Sequence, residues 1–231
     1  MIKVVSFTIC PFVQRVTATL EAKHIPYQIE YISLSNKPDW FLAISPNGQV
    51  PVLITEAGMA LFESDAIVEY IEDAYGPLQQ GLSHEKKAFE RSWSYQASKH
   101  YLTQCGAMSA KEMETFEPRF ATLRKAFERA EKQLSAKHQY FSSDDVGKVD
   151  IAWLPLLYRA DLVLSRTGCD FLTGLPKVKA WSEALLETEL GEKSVADDFI
   201  DKFSAYYLTG TFIANNNSIK DATCCQASCC E

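Results

Sequence analysis

The feature that most limits the fold is a change of hydrophobic period near residue 76. Before it, short β-branched runs alternate with helical stripes; after it, apolar residues recur only at helical spacing. Val4-Val5-Ser6-Phe7 reads as a strand, and Val13, Val16 and Leu20 form an i, i+3, i+7 stripe on a helix over about residues 11–23. Ile25-Pro26 breaks that helix, and Tyr27-Gln28-Ile29-Glu30-Tyr31 alternates as a half-buried strand does. Lys37 to Phe41 predicts a short helical turn, followed by the turn signal Ser45-Pro46-Asn47-Gly48. Val50 to Ile54 and Met59 to Phe62, joined through Glu56-Ala57-Gly58, predict a hairpin. Glu63-Ser64-Asp65 then opens a helix that buries Ala66, Ile67, Tyr70, Ile71 and Ala74 and stops at Gly76-Pro77. The order is β-α-β-α-β-β-α.

Beyond a linker at Leu78 to His84, five segments predict helices. Glu85 to about Leu102 carries Phe89, Trp93, Ala97 and Tyr101; a second helix carries Phe116, Phe120, Leu123, Phe127, Ala130 and Leu134. Val149 to Leu164 is apolar on nearly every side, which predicts a surrounded helix, locally kinked at Pro155, with Asp150 in a structural role in its first turn. Pro176 to Glu187 buries Val178, Trp181 and Leu185, and a last helix, Val195 to Tyr207, is lined by Phe199, Phe203 and Tyr206. The expected division is an α+β two-domain chain: residues 1–77 with the layout of a thioredoxin-like domain, an all-helical domain at 84–208, and a flexible, Cys-rich tail at 209–231. With 231 residues, 47% of them hydrophobic, either one large or two small cores can be filled.

A net charge of -7 without a dense Lys/Arg run argues against a nucleic-acid or anionic-membrane partner. The longest apolar stretch, Ile151 to Leu164, is interrupted by Pro155, Arg159 and Asp161 and is too short to span a bilayer. Met1-Ile2-Lys3 runs straight into strand pattern, so no secretory signal is read and a cytoplasmic location is expected. Seven cysteines, an odd number, do not make a disulfide scaffold. Four of them, Cys224, Cys225, Cys229 and Cys230, are numerous enough for Zn²⁺ or Cu(I), but adjacent pairs do not match zinc-finger spacing. No metal is expected.

Cys10 stands where a strand turns into a helix. Unpaired N–H groups and the positive end of the helix dipole converge there, which favours thiolate over thiol. Pro11 suits the first helical position, and Val13 occupies the place of the second cysteine in a C-x-x-C dithiol. The site therefore borrows an external thiol. A small buried apolar residue is the other reading of Cys10. Pro51 at a strand start suggests a cis-proline that turns the main chain of Val50 outward to pair with a peptide backbone; a trans proline at a strand edge is the alternative. Glu63 and Ser64 can hold an ammonium and a carboxylate, or simply cap a helix. Lys37 can neutralise a second carboxylate, or be solvated. Taken with Cys10, these groups suit a zwitterionic tripeptide with carboxylates at both ends and a central thiol.

The run Cys10-Pro11-Phe12, then Asn36-Lys37-Pro38-Asp39-Trp40-Phe41, Val50-Pro51-Val52 and Glu63-Ser64, resembles the cysteine-type glutathione transferases, specifically the omega class and the plant dehydroascorbate reductases. The resemblance is dense over residues 6–76 and weaker beyond, where residues 147–150 occupy the place of the family's helix-capping motif and residues 176–181 match its later helix. It implies that Cys10 forms a mixed disulfide with glutathione, that Phe12 belongs to the glutathione site, that Lys37 meets the glycine carboxylate and that Val50, beside Pro51, pairs with the cysteinyl backbone. Glu63 and Ser64 would hold the γ-glutamyl end. Gly147 departs from the Ser or Thr usual in the capping motif, and the tail is unlike the family.

The implied activity is glutathione-dependent thiol transfer or reduction of disulfides, dehydroascorbate or glutathionyl adducts, by a homodimer. The alternatives are a non-enzymatic binding or regulatory protein of the same fold and a general conjugating transferase. The helical half is expected to supply the second-substrate pocket. Tyr95, His100, Tyr101 and Trp153 are candidates for it, but aromatics on helices are more often core and none is assigned to catalysis.

Overall fold

Alternation along the first strand assigns the two faces of the sheet. In β1 (Ile2–Ser6), Ile2 and Val4 face one side and Val5 the other, as period 2 demands. The computed structural model describes residues 1–215, and the cysteines of the tail lie outside them. β1 pairs in parallel with β2 (Tyr27–Tyr31), and the crossover this requires is α1 (Pro11–Ala22). After α2 (Asp39–Ile44) come β3 (Val52–Ile54) and β4 (Ala60–Phe62), both antiparallel to their neighbours, giving the order β2-β1-β3-β4. On one face, Val13, Val16 and Leu20 of α1 and Ile67, Val68 and Ile71 of α3 (Ser64–Tyr75) cover Ile2, Val4 and Leu53. On the other, Phe41 of α2 covers Val5 and Val52.

The remaining helices are α4 (His84–Met108), α5 (Met113–Gln133), α6 (Lys148–Thr167), α7 (Pro176–Leu186), α8 (Leu190–Lys193), α9 (Phe199–Tyr207) and α10 (Phe212–Asn215). Helix α6 runs through their centre, with every side chain from Val149 to Ala160 buried. Five details differ from the sequence reading. In β2, at the open edge of the sheet, Ile29 and Tyr31 are exposed. In α3, Val68 joins Ile67 and Ile71 in the core, while Ala66 and Ala74 are exposed and Tyr70 is half-buried. Phe89 is 39% exposed, because α4 turns polar groups toward α6: Gln104 Nε2 donates to Leu156 O at 2.8 Å and the Tyr101 hydroxyl to Ala152 O. In α9 it is Tyr207, not Tyr206, that is buried. The tail was expected from residue 209, yet Phe212 and Ile213 enter the helical core and Phe212 N donates to Ala110 O at 2.8 Å. The packed chain therefore continues past Leu208 to Asn215.

Asp150 anchors the start of α6. Its Oδ1 accepts from Phe141 N (2.9 Å) and Trp181 Nε1 (2.7 Å), and its Oδ2 from Gly147 N (2.8 Å). Burial pushes its carboxyl up to about 6, against the pull of those three donors. Asp150→Ala leaves three buried donors unpaired, each costing ~1–3 kcal/mol, so a loss of at least ~3 kcal/mol of stability is expected. Urea unfolding measures it, and a loss below ~1 kcal/mol would contradict this account.

Candidate active site

Cys10 is the N-cap residue of α1, with extended φ and ψ of -75° and 121°. Its N–H donates to Phe7 O at 3.0 Å and its carbonyl accepts from Gln14 N at 3.1 Å, so the turn is closed on both sides of the sulfur. The thiol opens onto a cavity of about 330 Å³ at the edge of the sheet, within the size range of small-molecule sites. Cys10, Phe12, Lys37, Val50, Pro51, Glu63 and Ser64, all singled out in the sequence, line this one cavity. They come from four separate stretches of chain.

Local chemistry positions each group. Ser45 Oγ accepts from Gln49 N (3.0 Å) and donates to Gln49 O (2.9 Å), closing a loop in which Gly48 takes φ 58°. That loop brings Asn47, Gln49 and Val50 to the cavity wall. A Cβ on Gly48 would crowd Leu42 Cδ2 at 3.3 Å and touch Lys37 Nζ at an ordinary 3.5 Å, so the loop packs against the lysine that lines the wall. The Val50-Pro51 bond is cis, and Val50 stands two residues before β3, outside the paired register. Glu63 adopts φ 65°, a conformation costing about 1–3 kcal/mol for a residue with a side chain. Its Oε1 accepts from Asn47 Nδ2 at 3.4 Å, and Ser64 beside it is buried at the start of α3. Among the described residues, no group of three or more His, Cys, Asp and Glu side chains is placed to hold a metal, and no helix is long and apolar enough to cross a membrane.

Comparison with known proteins agrees with this architecture. Residues 9–74 match the model for the glutathione S-transferase N-terminal domain, and residues 113–184 that for the C-terminal domain. The rice (Oryza sativa subsp. japonica) protein named "Probable glutathione S-transferase DHAR1, cytosolic" is 31% identical over 181 residues, 78% of this chain and 81% of the relative. Pig (Sus scrofa) glutathione S-transferase omega-1 is 30% identical over 190 residues, 81% of this chain and 77% of the relative. The crystal structure of glutathione transferase Omega 3C from Trametes versicolor matches with a TM-score of 0.72 at 27% identity, covering 85% of this chain and 89% of that one. The chain belongs to the glutathione transferase family.

Of the helical half of this transferase, Leu102 of α4 reaches the cavity. Tyr101, a candidate for the second-substrate pocket, is wholly buried; its ring meets Phe12 edge-on at 5.0 Å and so supports the cavity from behind. Trp153 is core, its Nε1 bonded to Trp93 O at 3.1 Å, and His100 Nδ1 lies 2.6 Å from Gln96 O in its own helix. Neither Trp153 nor His100 lines the cavity, and nor does Tyr95. A group not singled out from sequence is Arg159, buried in α6, whose Nη2 donates to Ile9 O at 3.1 Å behind the cysteine turn. In the sequence it registers only as a charge that interrupts an apolar run.

One expectation about Cys10 is reversed. Burial pushes its thiol up to about 11, outweighing the N–H groups of Val13 and Phe12 and the charge of Arg159, which all pull it down. The helix start acts in the predicted direction, but loss of water acts more strongly. At neutral pH the free protein holds Cys10 as a thiol, and the thiolate population grows as pH rises toward 11. Alkylation of Cys10 by iodoacetamide, followed by mass spectrometry of its peptide, is expected to accelerate about tenfold per pH unit from about pH 7 to about pH 9. A plateau at neutrality would contradict this.

Proposed function

We propose that the chain is a glutathione-dependent thiol transferase or reductase in which Cys10 is the nucleophile and glutathione the cosubstrate. The observation that carries this reading is the presence of Cys10, Lys37, Val50, Glu63 and Ser64 on the wall of one cavity. Those groups complement the tripeptide end to end. Lys37 attracts the glycine carboxylate, the main chain of Val50 pairs with the cysteinyl unit, and Glu63 and Ser64 take the ammonium and carboxylate of the γ-glutamyl end. Phe12 and Pro51 supply apolar wall. Glutathione's own sulfur then arrives at Cys10.

In the reaction, the Cys10 thiolate attacks the glutathionyl sulfur of a mixed disulfide. A Cys10–glutathione disulfide forms and the other half leaves as a thiolate, which takes up a proton. A second glutathione thiolate attacks that glutathionyl sulfur, forming oxidised glutathione and returning Cys10 as thiolate. The net change is one mixed disulfide and one glutathione giving one free thiol and oxidised glutathione; where a first glutathione formed that mixed disulfide from a symmetric disulfide, two glutathiones have supplied the two electrons that reduce it. Dehydroascorbate, itself a two-electron acceptor, belongs to the same reading, supported by the likeness to relatives with dehydroascorbate-reductase and omega names. A cytoplasmic homodimer is part of the proposal; the rice relative carries the word cytosolic in its name.

Cys10→Ser is expected to lower glutathione-dependent reduction of hydroxyethyl disulfide at least ~100-fold while glutathione still binds in calorimetry, because a hydroxyl ionises far less readily than a thiol. Full activity in this variant would remove Cys10 from the mechanism. Lys37→Ala, losing a charge-assisted bond of ~1.5 kcal/mol, is expected to raise KM for glutathione about tenfold with little change in kcat. A chloronitrobenzene conjugation rate exceeding the disulfide rate in the wild type would favour a conjugating enzyme instead.

A further inference from the structure

Arg159 is wholly buried and has no carboxylate partner among the described residues. Its Nη1 donates to Pro155 O (3.0 Å) and to Gln14 Oε1, its Nη2 donates to Ile9 O (3.1 Å), and its Nε is left without a partner. The guanidinium carbon lies 5.3 Å from the centre of the Phe199 ring in α9. A buried cation is costly unless an anion compensates it. The ionisable groups that feel this one are the thiols of Cys105 and Cys10 and the hydroxyls of Tyr207 and Tyr101, none of which carries a charge at neutral pH in its ordinary state. The other buried guanidinium near the site, Arg15, is already paired with Asp65 of α3.

We propose that Arg159 is a positioning residue for Cys10: it pins the Ile9 carbonyl so that the following turn presents Sγ to the cavity, and it holds a buried positive charge against which the Cys10 thiolate forms. The geometry supports both parts. The bond to Ile9 O crosses from the helical half to the residue next to the cysteine, and Gln14, one turn into α1, holds the same guanidinium from the other side. Among the groups around Cys10, Arg159 faces it from α6, Cys105 and Tyr101 from α4, and Lys37 and Glu63 across the cavity. Cys105 feels the same guanidinium: burial raises its thiol, while the charge of Arg159 and a hydrogen bond with Tyr207 pull it down. The sulfur of Cys10 has the further advantage of the two N–H donors of Phe12 and Val13.

The proposal rests on the reading of Cys10 as a thiolate nucleophile, and its test needs no glutathione, so the two fail separately. The full chain is alkylated with iodoacetamide across the pH range, and modification is followed on the Cys10 peptide alone. Arg159→Gln keeps donors for Ile9 O but loses the charge, while Arg159→Lys keeps the charge and loses the fork. The expected result is a rate at about pH 8 lowered roughly tenfold in the Gln variant, with the profile displaced to higher pH, and a profile close to wild type in the Lys variant. Equal displacement in both, or none in either, overturns the role of the charge. Should Arg159→Gln fail to unfold cooperatively in urea, Gln14→Glu asks the same question by placing a carboxylate on the guanidinium. The same upward displacement is expected there, and an unchanged profile overturns the proposal.

Discussion

Helix α1 has almost no face left for water. Pro11 and every residue from Val13 to Leu20 are buried, although four of them, Gln14, Arg15, Thr17 and Thr19, are polar. The apolar stripe lies on the sheet; Arg15 reaches across to Asp65 of α3. Gln14 and Thr17 face the helical half, with Gln14 Nε2 bonded to Gly191 O at 3.1 Å and Thr17 Oγ1 to Ser194 O at 2.6 Å. A helix held on all sides by satisfied polar groups and packed methyls has one position and one rotation open to it. Cys10, at its first turn, inherits that precision. The site is thus fixed by the junction of the two halves rather than by the thioredoxin-like half alone.

That junction also explains why the thiol is less acidic than its place on a helix suggests. Closing α1 in on both sides removes water from the sulfur, and what remains to stabilise a thiolate are fixed donors: the N–H groups of Phe12 and Val13 and the charge of Arg159. Fixed donors cost no reorganisation when charge appears, which suits a group whose charge develops as it reacts. The two buried arginines divide the work. Arg15 is neutralised by Asp65 and ties the first and third helices of the sheet domain together, whereas Arg159 keeps its charge unspent beside the thiols and phenols.

Much of the fold was legible because it rests on period. The stripe Val13, Val16, Leu20, the alternation in Tyr27 to Tyr31 and the cluster Phe116, Phe120, Leu123, Phe127 each declare one buried face, and the structure buries them accordingly, apart from the open edge strand β2. The cavity was legible through residue types with a narrow chemical use, a cysteine before a helix and a lysine, a proline and a Glu-Ser pair near strand ends. Illegible were the contacts that join elements by polar groups. Phe89 looked like core because hydropathy cannot tell that Gln104 and Tyr101 turn α4 toward α6. Arg159 looked like an interruption because nothing local shows that Ile9 O waits behind it. The single-turn helices α8 and α10 carry too few residues for a period to register.

Gly147 illustrates how such a contact can reverse a local judgement. Read alone, glycine at the start of α6 is a weaker cap than serine or threonine. In the folded chain a Cβ at that position would stand 2.6 Å from Gln79 Oε1, inside the side chain of a linker residue. Gln79 uses the space to donate from Nε2 to Ser143 Oγ (2.6 Å) and Asp145 O (3.2 Å), so the linker grips the loop that leads into α6. Glu69 of α3 adds ion pairs to Lys148 of α6 (2.9 Å) and Arg91 of α4 (3.2 Å) on the same side of the molecule. What the helix start gives up in side-chain capping, Asp150 and the linker return as attachment between the two halves. Because α6 also carries Arg159 to the back of the cysteine turn, anything that fixes the start of this helix against the sheet domain bears on where the thiol stands.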